Sequence, residues 1–321
     1  MEYLNFGNAG LRVSRLALGL GFRGQNDEAE AQRVVERALD LGINLIDCAN
    51  VYGLMDDRAN VGLSEEILGR ALRGKRDDVV ITSKATSQIG PGPNDYGASR
   101  YHIMREVERS LRRLQTDRID VYIVHYFDAT TPLEETVRTL DDLVRSGKVR
   151  YTGCAKYAAW QVCRALWVAD SLHAIPFMCV QNEYNLLNRT MEREMLPMVR
   201  SQGLGFMAYS PLAIGLLSGM YTPGQPPPPN SFWSNQPAGQ YQELMQGQTG
   251  TVISTLLELA AQLGKTPAQL ATAWLLAQSE VTVAITGGDT IAHLEDNIGA
   301  VGWQLDAVIK EKLDTVSRSF L

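Results

Sequence analysis

Apolar residues along this chain fall into two alternating rhythms. Short, nearly continuous apolar runs occur at Leu16–Leu20, Ile43–Asp47, Val79–Lys84, Asp120–His125, Arg150–Cys154, Phe177–Gln181, Gly205–Tyr209 and Val281–Ile285. Runs of that kind suit strands covered on both faces. Between them apolar residues recur at helical spacing. Ala31, Val34, Val35, Ala38 and Leu41 form one stripe, with Asn26 or Asp27 to cap it and Gly42 to stop it. Ile103, Val107, Leu111 and Leu114 form another. Thr131-Pro132-Leu133-Glu134 reads as a capping box opening a helix that ends at Gly147, and Thr266-Pro267-Ala268-Gln269 repeats the device before Ala271–Ala277. Eight strands alternating with helices predict an α/β fold whose parallel sheet closes into a (β/α)8 TIM barrel.

Three segments stand outside the repeat. Met1–Arg15, with turn signals at Gly7-Asn8 and Gly10, predicts an N-terminal hairpin over one barrel mouth. Tyr221–Gly250 is rich in Pro, Gln, Ser and Gly and shows no apolar period, so it reads as a long loop and a possible lid. Leu305–Ser319 predicts a C-terminal helix across the outside of the barrel. No linker divides the chain, so residues 1–321 read as one domain.

Composition narrows the function classes. A barrel of about 250 residues plus insertions accounts for the length of 321. A formal charge of −6 with no Lys/Arg cluster argues against nucleic acid as a partner. No apolar run suits a bilayer span, and the N-terminus does not read as a leader. Cys48, Cys154, Cys163 and Cys179 are scattered, as are the four histidines, which fits reduced thiols, no metal site and a cytoplasmic location. Oligomeric state is not readable from the pattern.

The chemistry-bearing residues gather where predicted strands run out. Asp47, Lys84 and His125 end three strands, and Tyr52 lies in the loop after the first. Singly, each has a bland explanation: a turn cap, a solvated lysine, a core histidine, an ordinary loop tyrosine. Together they sit at the barrel end where active sites are built. Two of them also end otherwise apolar strands, where an unpartnered polar group is costly. Carbonyl reduction needs hydride at carbon and a proton at oxygen. A free phenol, with pKa near 10, holds its proton firmly, and a nearby ammonium should lower that value. Tyr52 is therefore the candidate general acid, Lys84 its modulator, Asp47 the partner that keeps Lys84 charged, and His125 the group that orients the carbonyl.

Longer stretches extend the pattern. Asp47-Cys-Ala-Asn-Val-Tyr52-Gly53, Gly62-Leu-Ser-Glu-Glu-Ile-Leu-Gly69 and Asp117-Arg-Ile-Asp-Val-Tyr-Ile-Val-His125 resemble the signature segments of the aldo-keto reductases. Val180-Gln181-Asn182-Glu183-Tyr184-Asn185, Ala208-Tyr209-Ser210-Pro211-Leu212-Ala213 and the stretch from Gly287 to Asn297 continue the resemblance along almost the whole chain. It implies an extended NADP or NAD cofactor across the barrel mouth. Gln181 would hold the nicotinamide carboxamide and Tyr209 would stack on the ring. The loop through Ser210, Leu212 and Gly215 would meet the pyrophosphate. Gly287, Gly288, Asp289 and His293 would lie around the adenosine, with Asn297 on adenine. No G-x-G-x-x-G turn is expected, and Gly19-Leu20-Gly21 is only a weak echo of one.

Two departures bear on recognition. Where the family commonly has Ser-Asn after the fifth strand, this chain has Ala155-Lys156. Lys156 either compensates for the lost side-chain contacts or points to solvent. Where NADP-preferring relatives place a cation, Gly288-Asp289-Thr290 stands, with His293 beyond. Asp289 would repel a 2′-phosphate and could bond a free ribose hydroxyl, or it could merely cap the following helix. The family favours NADP and the local residues favour NAD. The substrate, a small carbonyl compound or alcohol, would meet Phe22, Arg23, Tyr126, Phe127, Tyr157, Tyr184, Phe232 and Trp233. Trp160 reads as helix packing. Four functions fit: a carbonyl reductase, a dehydrogenase running the same site oxidatively, a cofactor-binding regulatory protein without turnover, and a barrel of unrelated chemistry such as a lyase.

Overall fold

The computed structural model describes residues 1–321, the side chain of Arg58 excepted. The chain opens with an antiparallel hairpin, β1 (Tyr3–Asn5) against β2 (Arg12–Ser14). Then come β3 (Leu16–Gly19), α1 (Glu28–Asp40), β4 (Leu45–Asp47), α2 (Leu63–Ala71), β5 (Val80–Ala85) and α3 (Arg100–Leu114). They are followed by β6 (Ile119–Val124), α4 (Leu133–Arg145), β7 (Val149–Ala155), α5 (Ala159–Ser171), β8 (Phe177–Glu183), α6 (Met195–Gln202) and β9 (Gly205–Tyr209). The last third holds α7 (Gln240–Gln246), α8 (Gln248–Leu263), α9 (Pro267–Leu276), β10 (Val281–Gly287), α10 (Ile291–Ile298) and α11 (Ala307–Val316). Strands β3 to β10 pair in parallel and in order, and β10 returns to β3 to close the barrel. The chain thus forms a (β/α)8 barrel with an N-terminal hairpin and a C-terminal helix.

Alternation along the strands explains why the apolar runs did not look amphipathic. Leu16, Leu18, Ile46, Ile81, Tyr122, Val124, Val180, Phe206 and Ala208 face the helices. Ala17, Leu45, Val80, Val121, Ile123, Cys179, Met207 and Val283 face the barrel axis, so both faces are buried. The hairpin closes the floor. Phe6 is fully buried with the axial residues, and its ring lies where any Cβ on Gly205 would fall.

Helix ends follow local chemistry. Asp27 caps α1 by accepting from the amides of Ala29 and Glu30, and Gly42, at φ 85°, turns the chain back toward β4. Thr266 forms the expected capping box with Gln269. The box expected at Thr131 does not form. Pro132 occupies the cap of α4, and the Thr131 hydroxyl donates to Asp128 at 2.7 Å instead. A competing carboxylate three residues back took the hydroxyl.

Two further expectations are corrected. The stretch 221–250 is not structureless. It holds a 3₁₀ turn at Trp233–Asn235 and all of α7, whose Tyr241 and Met245 are buried, and α8 begins within it at Gln248. Only two apolar residues anchor α7, too few to show as a period. Trp160 is largely exposed, touching Phe127 edge-on at 6.1 Å rather than packing α5 on the barrel. No helix among the described residues is long and apolar enough to cross a membrane.

Candidate active site

The same alternation that buries Leu45 and Val80 delivers polar side chains to the axis two residues later. Asp47 follows Leu45, and Thr82 and Lys84 follow Val80. His125 follows Ile123, Gln181 follows Cys179, and Tyr209 follows Met207. Apart from Thr82, in the middle of β5, each lies at or just beyond the C-terminal part of its strand, so the upper axial layer is polar while the lower layers are apolar.

Lys84 is fully buried at the centre of this layer. Its ammonium donates to Asp47 Oδ2 at 2.7 Å and to the Cys48 carbonyl at 2.9 Å, and stands 3.4 Å from the Tyr52 hydroxyl. The nitrogen also lies 4.7 Å from the centre of the Tyr52 ring. Asp47 is 3% exposed, and its other oxygen accepts from Thr82 Oγ1 at 2.5 Å and Gln181 Nε2 at 2.9 Å. Tyr52 meets the His125 ring edge-on at 5.8 Å, and His125 Nδ1 lies 2.9 Å from Ser87 Oγ. The structure therefore brings all four expected residues together.

The electrostatics correct one expectation. Burial pushes the Tyr52 phenol above its ordinary value. The Lys84 ammonium pulls it down without reversing the shift, and the Asp47 carboxylate adds to the rise. For Lys84 burial acts downward, but Asp47 first and then Tyr52 hold the ammonium above the ordinary lysine value. Lys84 thus stays charged, and its effect on the phenol is to limit a rise caused by desolvation.

Supports behind the site were not singled out from sequence. Asn50, two residues before Tyr52, donates at 3.0 Å to the buried carboxylate of Glu106 on α3, which pins the tyrosine loop. Glu65 on α2, fully buried, accepts from Ser83 next to Lys84 and from Arg113. Gly53 must lack a side chain because the Asn60 carbonyl fills its Cβ position. The available signal was helical register: Glu106 falls on the Ile103–Val107 stripe of α3, and Glu65 lies three residues before Leu68 on α2.

The expected cofactor residues line the β8–β10 side. Gln181 has its amide nitrogen tied to Asp47, which leaves Oε1 as an acceptor. Burial, then Glu183, pushes the Tyr209 phenol up to about 12. Ser210 and the successive residues Ala213, Ile214 and Gly215 all have left-handed backbones, with φ of 54°, 48°, 52° and 82°. The Ala213 amide closes this turn on the Ser210 carbonyl at 3.0 Å, leaving the successive amides of Ile214 and Gly215 for an anion, and L-residues adopt such a backbone only at a cost of about 1–2 kcal/mol each. Leu212 lies partly buried within this turn.

Around the adenosine stretch, Asn297 is buried and donates to the Gly287 carbonyl at 2.9 Å. A Cβ on Gly288 would meet Leu18 at 3.0 Å, so the chain there lies flat on the barrel. Thr290, not Asp289, caps α10, accepting from the exposed His293 amide at 3.2 Å. Asp289 instead faces Gly24 across the seam, where its carboxylate would meet a Cβ, and its carbonyl accepts from Gln25 at 2.7 Å. From Ser201 to Ile309 the only Lys or Arg is Lys265, which stacks on Trp303 at 4.9 Å.

The substrate-wall candidates divide. Tyr126 is exposed, stacks on His125 at 4.7 Å and accepts from Lys156 Nζ at 2.6 Å. Phe127 is partly buried beside it and meets Tyr157 edge-on. Arg23 is solvent-exposed at 3.9 Å from Asp56. Trp233 packs edge-on with exposed Phe232, its indole nitrogen buried without an acceptor. Phe22, Tyr157 and Tyr184 are buried in the core, and Tyr184 donates to Glu192, so these three rings pack the scaffold instead of walling the mouth. A cavity of about 410 Å³ adjoins His125, lined by Ser87, Gln88, Tyr96, Tyr126, Phe127 and Asp128.

Comparison with known proteins places this geometry in context. The family model described as the aldo/keto reductase family matches residues 15–318. The protein named "Uncharacterized oxidoreductase YrpG" from Bacillus subtilis (strain 168) is 38% identical over 98% of this chain and 96% of its own length. A probable voltage-gated potassium channel subunit beta from Arabidopsis thaliana is 36% identical over 99% of this chain and 97% of that protein. An L-glyceraldehyde 3-phosphate reductase from Escherichia coli (strain K12) is 34% identical over 94% of this chain and 88% of that protein.

Proposed function

The chain belongs to the aldo/keto reductase family and is an oxidoreductase, and from that premise we propose that it reduces a small aldehyde or ketone to an alcohol with Tyr52 as general acid. The observation that carries the reading is the Lys84 ammonium, buried, bonded to Asp47 at 2.7 Å and facing the Tyr52 hydroxyl at 3.4 Å. A neutral lysine would gain from that carboxylate only an ordinary hydrogen bond, without the ion-pair attraction. A charged one selectively stabilises the phenolate that forms as Tyr52 gives up its proton.

The residues present fit a nicotinamide dinucleotide. Gln181 Oε1 can accept from a carboxamide, the Tyr209 ring offers a stacking face, and the left-handed turn offers the Ile214 and Gly215 amides to a pyrophosphate. When bound, such a cofactor supplies hydride to the carbonyl carbon. The chain handles the proton. The Ser87 hydroxyl, 2.9 Å from Nδ1, can donate to it, and in that tautomer the His125 ring proton is on Nε2, where it can bond the carbonyl oxygen. Tyr52, edge-on to that ring, then passes its proton to the same oxygen. In the reverse direction the phenolate takes it back, held by Lys84.

NAD(H) is bound at least as well as NADP(H) in this reading. Asp289 is not spent on capping, and the stretch 201–309 offers a 2′-phosphate only Lys265, already over Trp303. That weak phosphate site also favours a second reading, NAD-dependent oxidation of an alcohol or sugar by the same residues. A binding protein without turnover is the weaker alternative, because the whole proton relay is retained. The test is an aldehyde panel with NADH and NADPH, using Tyr52→Phe as control. Loss of about 10²–10⁴-fold in kcat with cofactor affinity kept is expected. Equal turnover in the variant overturns the assignment.

A further inference from the structure

Lys156 occupies a backbone conformation that a lysine has no reason to choose. It follows Ala155, the last residue of β7, with φ at 59°, in the left-handed region. Its amide is held from two sides, by the Gln181 carbonyl at 3.0 Å and Asn182 Oδ1 at 2.9 Å. The rim of β8 therefore fixes where this side chain starts. Strain imposed so firmly on a residue without glycine's freedom is a reason to look for a role.

The ammonium is aimed across the mouth. It donates to the Tyr126 hydroxyl at 2.6 Å, sits 4.0 Å above that ring and stands 5.8 Å from the Tyr209 ring. Tyr126 in turn stacks on His125 at 4.7 Å, so the cation shares a wall with the group that faces the carbonyl. The neighbouring rims bring Asp128 and Glu183, yet neither pairs with it. Asp128 is bonded to the Ala98 amide and to Thr130 and Thr131. No carboxylate among the described residues comes within ion-pair distance of Lys156. An ammonium has three donors; one goes to the phenol, and because Lys156 is exposed the others face solvent, where a ligand can reach them.

We propose that Lys156 recognises an anionic oxygen group, carboxylate or phosphate, carried by the carbonyl substrate a few bonds from the reacting carbon. The proposal rests on the oxidoreductase reading of the same mouth. Tyr126 holds the ammonium in place, the charged end of the substrate takes the remaining donors, and the carbonyl reaches His125 and Tyr52. Lys156 acts on binding and moves no proton.

The experiment compares 4-carboxybenzaldehyde with 4-carbamoylbenzaldehyde, and glycolaldehyde phosphate with glycolaldehyde, in wild type, Lys156→Asn and Lys156→Arg. Asparagine tolerates the left-handed backbone, so that variant removes charge without adding strain. Wild type is expected to prefer one anionic probe over its neutral partner. The preferred pair also says which anion the site takes. Lys156→Asn should lower that preference by about 10- to 100-fold, the loss of a charge-assisted hydrogen bond, and the change should appear in KM. Lys156→Arg should restore most of it. No preference in wild type overturns the proposal. So does an equal loss for charged and neutral probes accompanied by weaker NADH binding, which would make Lys156 a cofactor contact. If wild type reduces no aldehyde, the parent reading fails instead. Calorimetric titration with 4-carboxybenzyl alcohol and 4-carbamoylbenzyl alcohol then decides the inference: charge-selective binding lost in Lys156→Asn supports it, and equal binding sinks it.

Discussion

Replacing Lys84 with methionine removes one charge from the centre of the site and keeps a side chain of similar length. The ammonium stands 3.4 Å from the phenol oxygen. At an effective dielectric of about 20, a charge pair at that distance is worth about 5 kcal/mol. With the proton half transferred, about half of that attraction acts in the transition state, near 2.4 kcal/mol, or roughly 60-fold in kcat. The same change strands Asp47, which is 3% exposed. Breaking a buried pair from one side costs about 3–5 kcal/mol of stability. The two effects separate in the double variant Asp47→Asn/Lys84→Met, which buries no charge there. Guanidinium denaturation should show the double variant more stable than Lys84→Met, while its kcat for an aldehyde stays low. A folded Lys84→Met enzyme with kcat within about threefold of wild type would refute the reasoning. So would a double variant whose rate recovers along with its stability, since Lys84 would then be structural.

Three further outcomes are expected. Fluorescence titration should find NADH bound at least as tightly as NADPH, and Asp289→Lys should shift the ratio toward NADPH by about 10- to 100-fold, a charge-assisted bond to phosphate; clearly tighter NADPH binding in wild type would remove the argument. Because burial pushes the Tyr52 phenol up, kcat for reduction should hold through neutral pH and fall only above the ordinary phenol range near 10, as the proton is lost; a fall between about pH 7 and 8 would mean another group is the acid. The Lys84 ammonium is held above its ordinary value, so its stabilisation is complete below the unfolded lysine value near 10.4 and is lost as pH climbs through the folded one. Chemical denaturation above about pH 10.4 should therefore erode wild-type stability more than that of the double variant.

The eight strands were legible because each is buried on two sides and thus apolar in the sequence. Asp47, Lys84 and His125 were legible for the opposite reason, as polar groups where apolar runs end, while Tyr52 stood out only as the loop residue beside them. What escaped depended on partners far along the chain. Thr131 carries a valid cap signal, but Asp128 captured its hydroxyl, whereas Thr266 meets a competing carboxylate at Asp296 and still caps. The direction of the Tyr52 shift needed the depth of burial, which spacing does not contain. Phe22, Tyr157 and Tyr184 look like mouth aromatics by position, and only packing shows them turned into the core. Lys156 stood as an open question in the sequence; its left-handed backbone and the Tyr126 contact gave it a direction.

The Phe6 stopper beneath the barrel has a kinetic consequence. A vestibule with a blind floor has one doorway, so two reactants that share it must queue. For the dinucleotide and carbonyl compound of the proposed reaction, the one lying deeper would have to enter first and leave last, a compulsory order that product-inhibition kinetics would reveal. In such a chamber the last departure, instead of the bond-making step, sets the pace whenever the deeper occupant is gripped hard.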